Sequence, residues 1–188
     1  MIADCHQELG EYILALEAIT QAQQMRPDDL DLISSKADIL GESGDIEGAI
    51  TEWTRYIEKN PDFFGGYYRR GFFEDNSGQT DKALEDYDMA IMLNPDYAYS
   101  YLGNGDMLMR KGQTDEAMAA YRKVIELDTV PNNSSCAMYA FLALDEKDKA
   151  VDFMEKVIAH DSTMLCQMMI WNRCVQQMAS NLSLMNTP

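Results

Sequence analysis

The sequence predicts an all-α fold in which pairs of antiparallel helices repeat along the chain. Three residue types recur at the same interval, which equals the separation of Pro27 and Pro61 in the sequence. The prolines are Pro27, Pro61 and Pro95, the glycines are Gly10, Gly44, Gly78 and Gly112, and the alanines are Ala15, Ala49, Ala83 and Ala117. A period of about 34 residues is typical of helical repeat arrays, in which each unit buries its apolar face against its neighbours. We therefore predict an array of stacked helix pairs rather than one ball-shaped core.

The glycines and prolines mark the ends of the two helices within each unit. The first helix should end just before the glycine, because a tight turn needs a positive φ that glycine adopts without cost. The second helix should end at the Asn-Pro pairs 60–61 and 94–95, because the residue before proline is displaced from the α region. The alanines should lie where the two helices cross. Large side chains four residues later should fill the space between units: Ile19, Trp53, Tyr87 and Tyr121.

Five units follow in order, at 1–29, 30–63, 64–97, 98–130 and 131–161. The first unit is incomplete, with only a short first helix before Gly10, so we expect the chain to be a piece of a longer protein. The fifth unit follows a phase slip at Pro131. Its helices are predicted at 134–144 and 147–160, joined at Asp145 and Glu146 in place of the turn glycine.

The segment 162–186 is predicted to form one further helix. Its apolar residues are spaced alternately four and three apart, which gives a helix one apolar face. They are Met164, Met168, Trp171, Val175, Met178, Leu182 and Met185. We interpret this segment as a capping helix that closes the array. The alternative is a docking surface for a second copy of the chain, which would make a homodimer through the methionine-rich face.

The repeating unit resembles the tetratricopeptide repeat family over nearly all of residues 1–161. The family pattern has alanine early in the second helix, as here, and a small residue within the first helix. Those small residues are Ala3, Ala37, Gly71 and Gly105. The resemblance implies a right-handed α-solenoid of helix-turn-helix repeats. A leucine of the family pattern is replaced by Lys36, Arg70 and Asn104, so we expect looser packing at that position.

The composition favours a protein partner over nucleic acid or membrane. The chain has 32 acidic and 15 basic residues, and its formal net charge is −17. This charge opposes binding to nucleic acid and to anionic lipid surfaces, and no stretch is apolar for the length that a membrane helix needs. The four cysteines form no CxxC pair and should pack in reduced form. We expect a soluble protein, with a cytoplasmic location favoured unless a leader has been lost.

No motif in the sequence indicates catalysis. His6 and His160 stand apart, no serine or cysteine has a histidine in a recognisable triad arrangement, and no glycine-rich phosphate loop is present. Clustered acidic residues are typical of solvated helix faces. We therefore expect a non-catalytic protein with no metal site and no cofactor.

The resemblance places one face of the first helices in a concave binding groove. The residues at these positions are Asp38, Glu42, Tyr68, Phe72, Tyr99, Leu102, Asp106, Met109, Arg110 and Tyr139. We predict a scaffold that holds a basic and apolar protein segment by stacking on the rings and by charge pairing. Relatives that bind a C-terminal carboxylate use Lys and Asn side chains, whereas this groove has Asp38 and Asp106. Arg69 is expected to pair with a nearby acid.

Three alternatives stay open at this stage. Several of the groove aromatics could pack between repeats instead of contacting a partner. The array could be an accessory segment of a larger enzyme or of a secretion or assembly component. It could also serve self-assembly through the methionine-rich helix, with the contacts made by Met164, Met168, Trp171, Val175 and Met178.

Overall fold

A computed structural model describes residues 2–128 and 136–160 of the chain. Their contacts define two compact units, Met1–Leu127 and Asp128–Pro188. The described residues form nine α-helices and no strand, which confirms the predicted all-α repeat fold. The helices are α1 Ile2–Met25, α2 Leu30–Glu42, α3 Ile46–Lys59, α4 Phe64–Asn76, α5 Thr80–Leu93, α6 Ala98–Arg110, α7 Thr114–Leu127, α8 Cys136–Ala143 and α9 Lys147–His160.

Helix α1 contradicts the prediction of a turn at Gly10. It runs without interruption from Ile2 to Met25, so the first unit is one long helix rather than a hairpin. Residues 2–9 alone would form only about two helical turns, and a helix of that length is marginally stable by itself. Continuing the helix through Gly10 lets the backbone on both sides keep its hydrogen bonds.

Each of the hairpins α2–α3, α4–α5 and α6–α7 turns at one glycine, as predicted. The φ angles are 92° at Gly44, 78° at Gly78 and 75° at Gly112. In the α4–α5 turn, the Gln79 amide donates to the Glu74 carbonyl at 2.8 Å and the Gly78 amide donates to the Asp75 carbonyl at 2.9 Å. This is the Schellman pattern, which satisfies carbonyl groups at the helix end. The same two bonds recur in the other turns.

Three of the four alanines lie at helix crossings, as predicted, whereas Ala15 lies within the single helix α1 and is only partly buried. The fully buried members are Ala49, Ala83 and Ala117. A small residue is also required at Gly71, where a Cβ would lie 3.2 Å from the Asp86 Cβ and 3.3 Å from the Ala83 carbonyl oxygen. The large side chains predicted between units are buried at Trp53, Tyr87 and Tyr121, whereas Ile19 in α1 is only partly buried. The helix pairs therefore pack through small residues and fill the gaps with rings.

Helices α8 and α9 form a further hairpin in the second unit. Helix α9 spans the predicted range, and Asp145 replaces the turn glycine with a φ of 58°, as predicted. The rings of Phe141 and Phe153 lie 6.1 Å apart between the two helices, and Ala150 is buried. The α8–α9 hairpin thus keeps the same turn without glycine.

Some sequence predictions lie outside the described residues. These are the turn at 129–135 and the capping helix at 162–186, with its proposed self-association residues Met164, Met168, Trp171, Val175 and Met178. Cys136 is fully buried, as predicted for a packing cysteine. The self-assembly hypothesis stays a prediction.

Candidate functional site

A pocket opens between the first helices of neighbouring hairpins in the first unit. Its volume is about 580 Å³. Aromatic rings form most of its lining, contributed by Trp53, Tyr56, Phe63, Phe64, Tyr68, Tyr97 and Tyr99. The other lining residues are Ser34, Asp38, Gly65 and Arg69. We call this site the aromatic pocket.

The rings of the aromatic pocket contact one another. The Tyr68 ring centroid lies 5.1 Å from that of Tyr97 and 6.3 Å from that of Tyr99, both in edge geometry. The Phe64 ring lies 4.9 Å from the Tyr97 ring. These distances are in the range of favourable aromatic pairs. Phe63 and Tyr97 occupy the N-cap positions of α4 and α6 and make no side-chain cap, so their rings serve the pocket instead.

Arg69 lies at one side of the pocket and is surrounded by rings. Its guanidinium forms an ion pair with Asp38, which confirms the prediction that Arg69 pairs with a nearby acid. The guanidinium carbon also lies 5.8 Å from the Trp53 ring centroid, 6.0 Å from that of Phe72 and 5.5 Å from that of Phe73. Because Arg69 is on α4 and Asp38 is on α2, the pair joins two neighbouring hairpins and neutralises the Asp38 carboxylate.

A second ion pair links the next two first helices, from Arg110 on α6 to Asp75 on α4. Beside it, the Tyr121 hydroxyl donates a hydrogen bond to Asp106 Oδ1 at 2.7 Å. Loss of surrounding water raises the pKa of the Asp106 carboxyl, and the Tyr121 bond acts in the opposite direction. Burial also raises the pKa of the Tyr121 hydroxyl. This part of the groove is therefore polar, with its charges largely paired.

Tetratricopeptide repeat models match residues 1–29 and 74–133 of the chain. Between those two segments, the α2–α3 hairpin has the same glycine turn and buried alanine as the hairpins that follow. The chain therefore carries tetratricopeptide repeats. No curated protein matches the sequence. Tetratricopeptide repeat proteins are generally non-catalytic modules that bind proteins or peptides, and this fold supports a general role as an interaction scaffold.

Solved structures of similar fold support the same architecture. The crystal structure of MamA has 20% identity and a TM-score of 0.62, with 87% of this chain and 96% of that one covered. TTC0263, a thermophilic TPR protein in Thermus thermophilus, has 20% identity, a TM-score of 0.69 and coverages of 93% and 96%. The Arabidopsis OM64 TPR domain has 18% identity, a TM-score of 0.56 and coverages of 64% and 94%. Identities this low carry over the fold alone.

In this tetratricopeptide repeat array, three predicted groove residues line the aromatic pocket together. They are Asp38, Tyr68 and Tyr99. Phe72 lies beside Arg69 with 40% of its surface exposed, and Met109 is 41% exposed on α6. The groove therefore combines a ring-lined pocket with two exposed apolar side chains on neighbouring first helices.

The remaining predicted groove residues lie apart from the aromatic pocket. Asp106 and Arg110 are near Asp75, Leu102 is partly buried on α6, and Glu42 is exposed at the end of α2. Tyr139 lies in the second unit, and 42% of its surface is exposed. Whether any of these residues contacts a partner stays a prediction. In the part of the chain that the structure describes, no helix has the length and apolar character needed to cross a membrane.

Sequence reasoning missed two partly buried ion pairs inside the hairpins of the repeat array. Lys36 Nζ lies 2.6 Å from Glu52 Oε1, and Arg70 binds both carboxylate oxygens of Asp86 at 2.6 and 2.7 Å. We expected loose packing where Lys36 and Arg70 replace leucine, but each side chain pairs with an acid on the second helix of its own hairpin. The signal was present in the sequence, because each acid follows its basic partner by 16 residues.

Glu74 is a second feature that the sequence analysis missed. It is only 5% exposed and lies beside Asp86, and its Oε2 atom has no hydrogen-bond partner among the described residues. Burial, together with the Asp86 charge, raises the pKa of Glu74 to about 7, and the Arg70 charge opposes this rise. Leu40 and Leu108 stand at the equivalent positions of the preceding and following repeats. A comparison of equivalent positions would therefore have singled out Glu74.

Proposed function

We propose that this tetratricopeptide repeat array is a scaffold that binds a segment of another protein along α2, α4 and α6. The observation that carries the proposal is the aromatic pocket of about 580 Å³, a volume within the usual range for ligand sites. Phe72 and Met109 extend the apolar surface on the same set of helices. A segment laid across these helices would have one ring-lined anchor site and further apolar contacts beside it.

The ring lining favours an aromatic or aliphatic side chain as the anchor of the partner. Large apolar anchors in enclosed pockets carry much of the binding energy of protein interfaces. Tyr68 and Tyr99 are partly exposed, so they offer ring surface to a partner without opening the core. Their edge contact at 6.3 Å holds the rings in place before binding, which lowers the entropy cost of association.

The charge of the chain favours lysine or arginine beside that anchor. The net charge is −17, which steers basic partners towards the protein. Asp38 and Asp75 already pair with arginines. The exposed carboxylates left to attract a basic side chain on these helices include Glu42 and Asp106. A ligand carboxylate would meet repulsion from the same groups.

The test is a selection of random phage-displayed peptides on the intact chain, followed by affinity measurements with the selected peptides. The informative variant carries Tyr68→Ala and Tyr99→Ala. Met92→Ala is the matched control, because Met92 is 67% exposed on α5 and does not line the pocket. We expect peptides with an aromatic or aliphatic anchor near Lys or Arg, and a loss of affinity of about tenfold or more in the double variant.

Circular dichroism would establish that both variants keep their helicity. Peptides that bind the double variant as tightly as they bind Met92→Ala would contradict the proposal. A selection dominated by Asp, Glu or a free C-terminal carboxylate would also contradict it.

A further inference from the structure

A second pocket lies on a different face of α6 from the aromatic pocket. Its volume is about 640 Å³, and it is an open depression lined by residues of α5, α6, α7 and the α6–α7 turn. Its lining residues are Leu84, Asp88, Ile91, Tyr101, Asn104, Leu108, Lys111, Gln113, Glu116, Ala119, Ala120 and Lys123. We call it the α5–α7 pocket. The lining combines aliphatic side chains with one aromatic ring and with charged and amide groups.

The equivalent space one repeat earlier is filled by Arg70. Its guanidinium binds Asp86 through two hydrogen bonds of 2.6 and 2.7 Å. It also donates to Thr54 Oγ1 at 3.3 Å and lies 5.9 Å from the Tyr67 ring centroid. An arginine side chain thus occupies this space between α3, α4 and α5 with both charge and ring contacts.

The residues that hold or fill that space differ in the α5–α7 pocket. A shift of one repeat period places Asn104 at the position of Arg70 and Ala120 at the position of Asp86. Both replacements are shorter, so the volume taken by the arginine and its partner is left open. Tyr101 stands at the position of Tyr67 and keeps the ring.

A carboxylate is still present, but it has moved to the neighbouring helix. Asp88 stands at the position of Thr54, on α5, and its Oδ1 accepts a hydrogen bond from Asn104 Nδ2 at 2.7 Å. No basic side chain pairs with Asp88 within the described ranges 2–128 and 136–160. Burial raises the pKa of the Asp88 carboxyl. The pocket therefore has an acidic group without a cation.

The two lysines of the lining do not supply that cation. Lys111 Nζ lies 2.7 Å from Asp81 Oδ1, and Lys123 Nζ lies 3.1 Å from Glu126 Oε2. Neither of these acids lines the pocket. Each lysine charge is thus balanced outside the pocket.

The acids of the lining are Asp88 and Glu116, and Glu116 Oε2 accepts a hydrogen bond from Gln113 Nε2 at 3.1 Å. Asp88 lies on α5 beside Asn104 and is the acid that can meet a guanidinium at the position of the Arg70 side chain.

We propose that the α5–α7 pocket accepts an arginine side chain from a partner protein, in the way that Arg70 fills the equivalent space of the preceding repeat. The guanidinium binds Asp88 and stacks against the Tyr101 ring, and the aliphatic stem lies against Leu84, Ile91 and Leu108. Arginine fits better than lysine because its planar group combines paired hydrogen bonds to a carboxylate with ring stacking. This site is separate from the aromatic pocket and does not depend on the proposed function.

The experiment measures binding of N-acetyl-arginine-N-methylamide by NMR titration of the intact chain. The matched probe is the citrulline analogue, which has nearly the same shape but no charge. We expect shifts at Leu84, Ile91 and Leu108 with the arginine probe, and affinity for the citrulline probe that is weaker by about tenfold. Equal affinity for the two probes would overturn the proposal.

Two variants test whether the arginine probe binds in the α5–α7 pocket. Asn104→Arg with Ala120→Asp rebuilds the Arg70–Asp86 pair inside the pocket, and we expect it to abolish binding while keeping the helical signal. Asp88→Asn removes the charge alone and should weaken binding about tenfold. The Tyr68→Ala, Tyr99→Ala variant should bind the probe as the unchanged chain does. Unaltered binding by Asp88→Asn overturns the proposal, even if the double variant fails to fold.

Discussion

The α4–α5 and α6–α7 hairpins follow the same backbone plan, but they use different chemistry at equivalent positions. The first has a partly buried Arg70 beside the buried Asp86 and Glu74, and the second has Asn104, Ala120 and Leu108 in their places. Both keep the glycine turn and the fully buried alanine at the crossing. The turn glycine and the buried alanine therefore suffice to define this hairpin. The residues packed between its two helices can be either charged or apolar.

The largest loss of stability is expected from Asp86→Ala. This substitution gives the α4–α5 hairpin the residue that the α6–α7 hairpin has at this position. Arg70 would lose its partner in a partly buried setting, so we expect a cost in the lower part of the range of about 3–5 kcal/mol that holds for buried ion pairs. We expect the free energy of unfolding to fall by that amount in urea titrations followed by circular dichroism.

The matched control adds Arg70→Asn, which completes the transfer of the α6–α7 residues. Removing the stranded charge should recover much of the lost stability. If the double variant were no more stable than Asp86→Ala alone, the unbalanced charge would not be the cause of the loss.

The next largest effect is expected from Glu74→Leu, which copies Leu108 into the α4–α5 hairpin. Glu74 faces Asp86, Arg70 and Lys82, and burial raises its pKa from 4.5 to about 7. The folded chain therefore holds this proton more tightly than the unfolded chain does. Stability is lost as the pH rises from about 4.5 to about 7, by on the order of 3 kcal/mol. At pH 8 we expect Glu74→Leu to be more stable than the unchanged chain.

Measuring the free energy of unfolding at several pH values separates the effect of Glu74 ionisation from the effect of altered packing. Urea titrations between pH 5 and 8 should show the stability difference between Glu74→Gln and the unchanged chain growing with pH. A difference that is constant over this range would show that Glu74 does not titrate in the folded state.

A smaller effect distinguishes the turns from α1. Gly78→Ala and Gly112→Ala should each destabilise by about 1 kcal/mol, because both positions have positive φ. Gly10→Ala should stabilise by about 0.5–1 kcal/mol, since Gly10 lies inside a continuous helix. Melting curves show whether each of the three variants raises or lowers the Tm. Destabilisation by Gly10→Ala would argue against the uninterrupted helix.

The smallest effect compares two equivalent tyrosines. Tyr121→Phe removes the hydrogen bond to Asp106 and should cost about 1 kcal/mol. Tyr87 stands at the same position one repeat earlier, but Phe72 occupies the position of Asp106 there and accepts no such bond. Tyr87→Phe should therefore cost less in thermal melts. Equal losses would mean that the Asp106 bond does not distinguish the two hairpins.

Much of the fold could be predicted because its determinants are local. A positive φ at Gly44, Gly78 and Gly112 and a small side chain at each crossing depend on properties of single residues. The turn predicted at Gly10 was wrong, because a turn there depends on whether residues 2–9 can pack as a separate helix. That outcome is set by tertiary contacts, and the glycine itself permits both forms.

The candidate site was less predictable for a related reason. The Arg69 pair was foreseen from charge alone, and Tyr68 and Tyr99 from the repeat pattern. Phe63 and Tyr97 were not foreseen, because they reach the pocket from N-cap positions outside the first-helix face. The ion pairs within the hairpins were missed because long side chains can point either to solvent or to the second helix.

The ion pairs within the hairpins also bear on how such a chain can be cut and joined. Lys36–Glu52 and Arg70–Asp86 each lie inside one repeat segment, so a duplicated segment brings both charges with it. The Asn104–Asp88 contact crosses a segment border instead. Excision of 64–97 would place Thr54 opposite Asn104, and its hydroxyl can still accept the amide hydrogen bond. The same excision removes Arg69 and Asp75, so Asp38 and Arg110 would lose their partners at the new border. Recombination by one full period therefore preserves the ion pairs inside a segment, and it breaks those that join neighbouring segments.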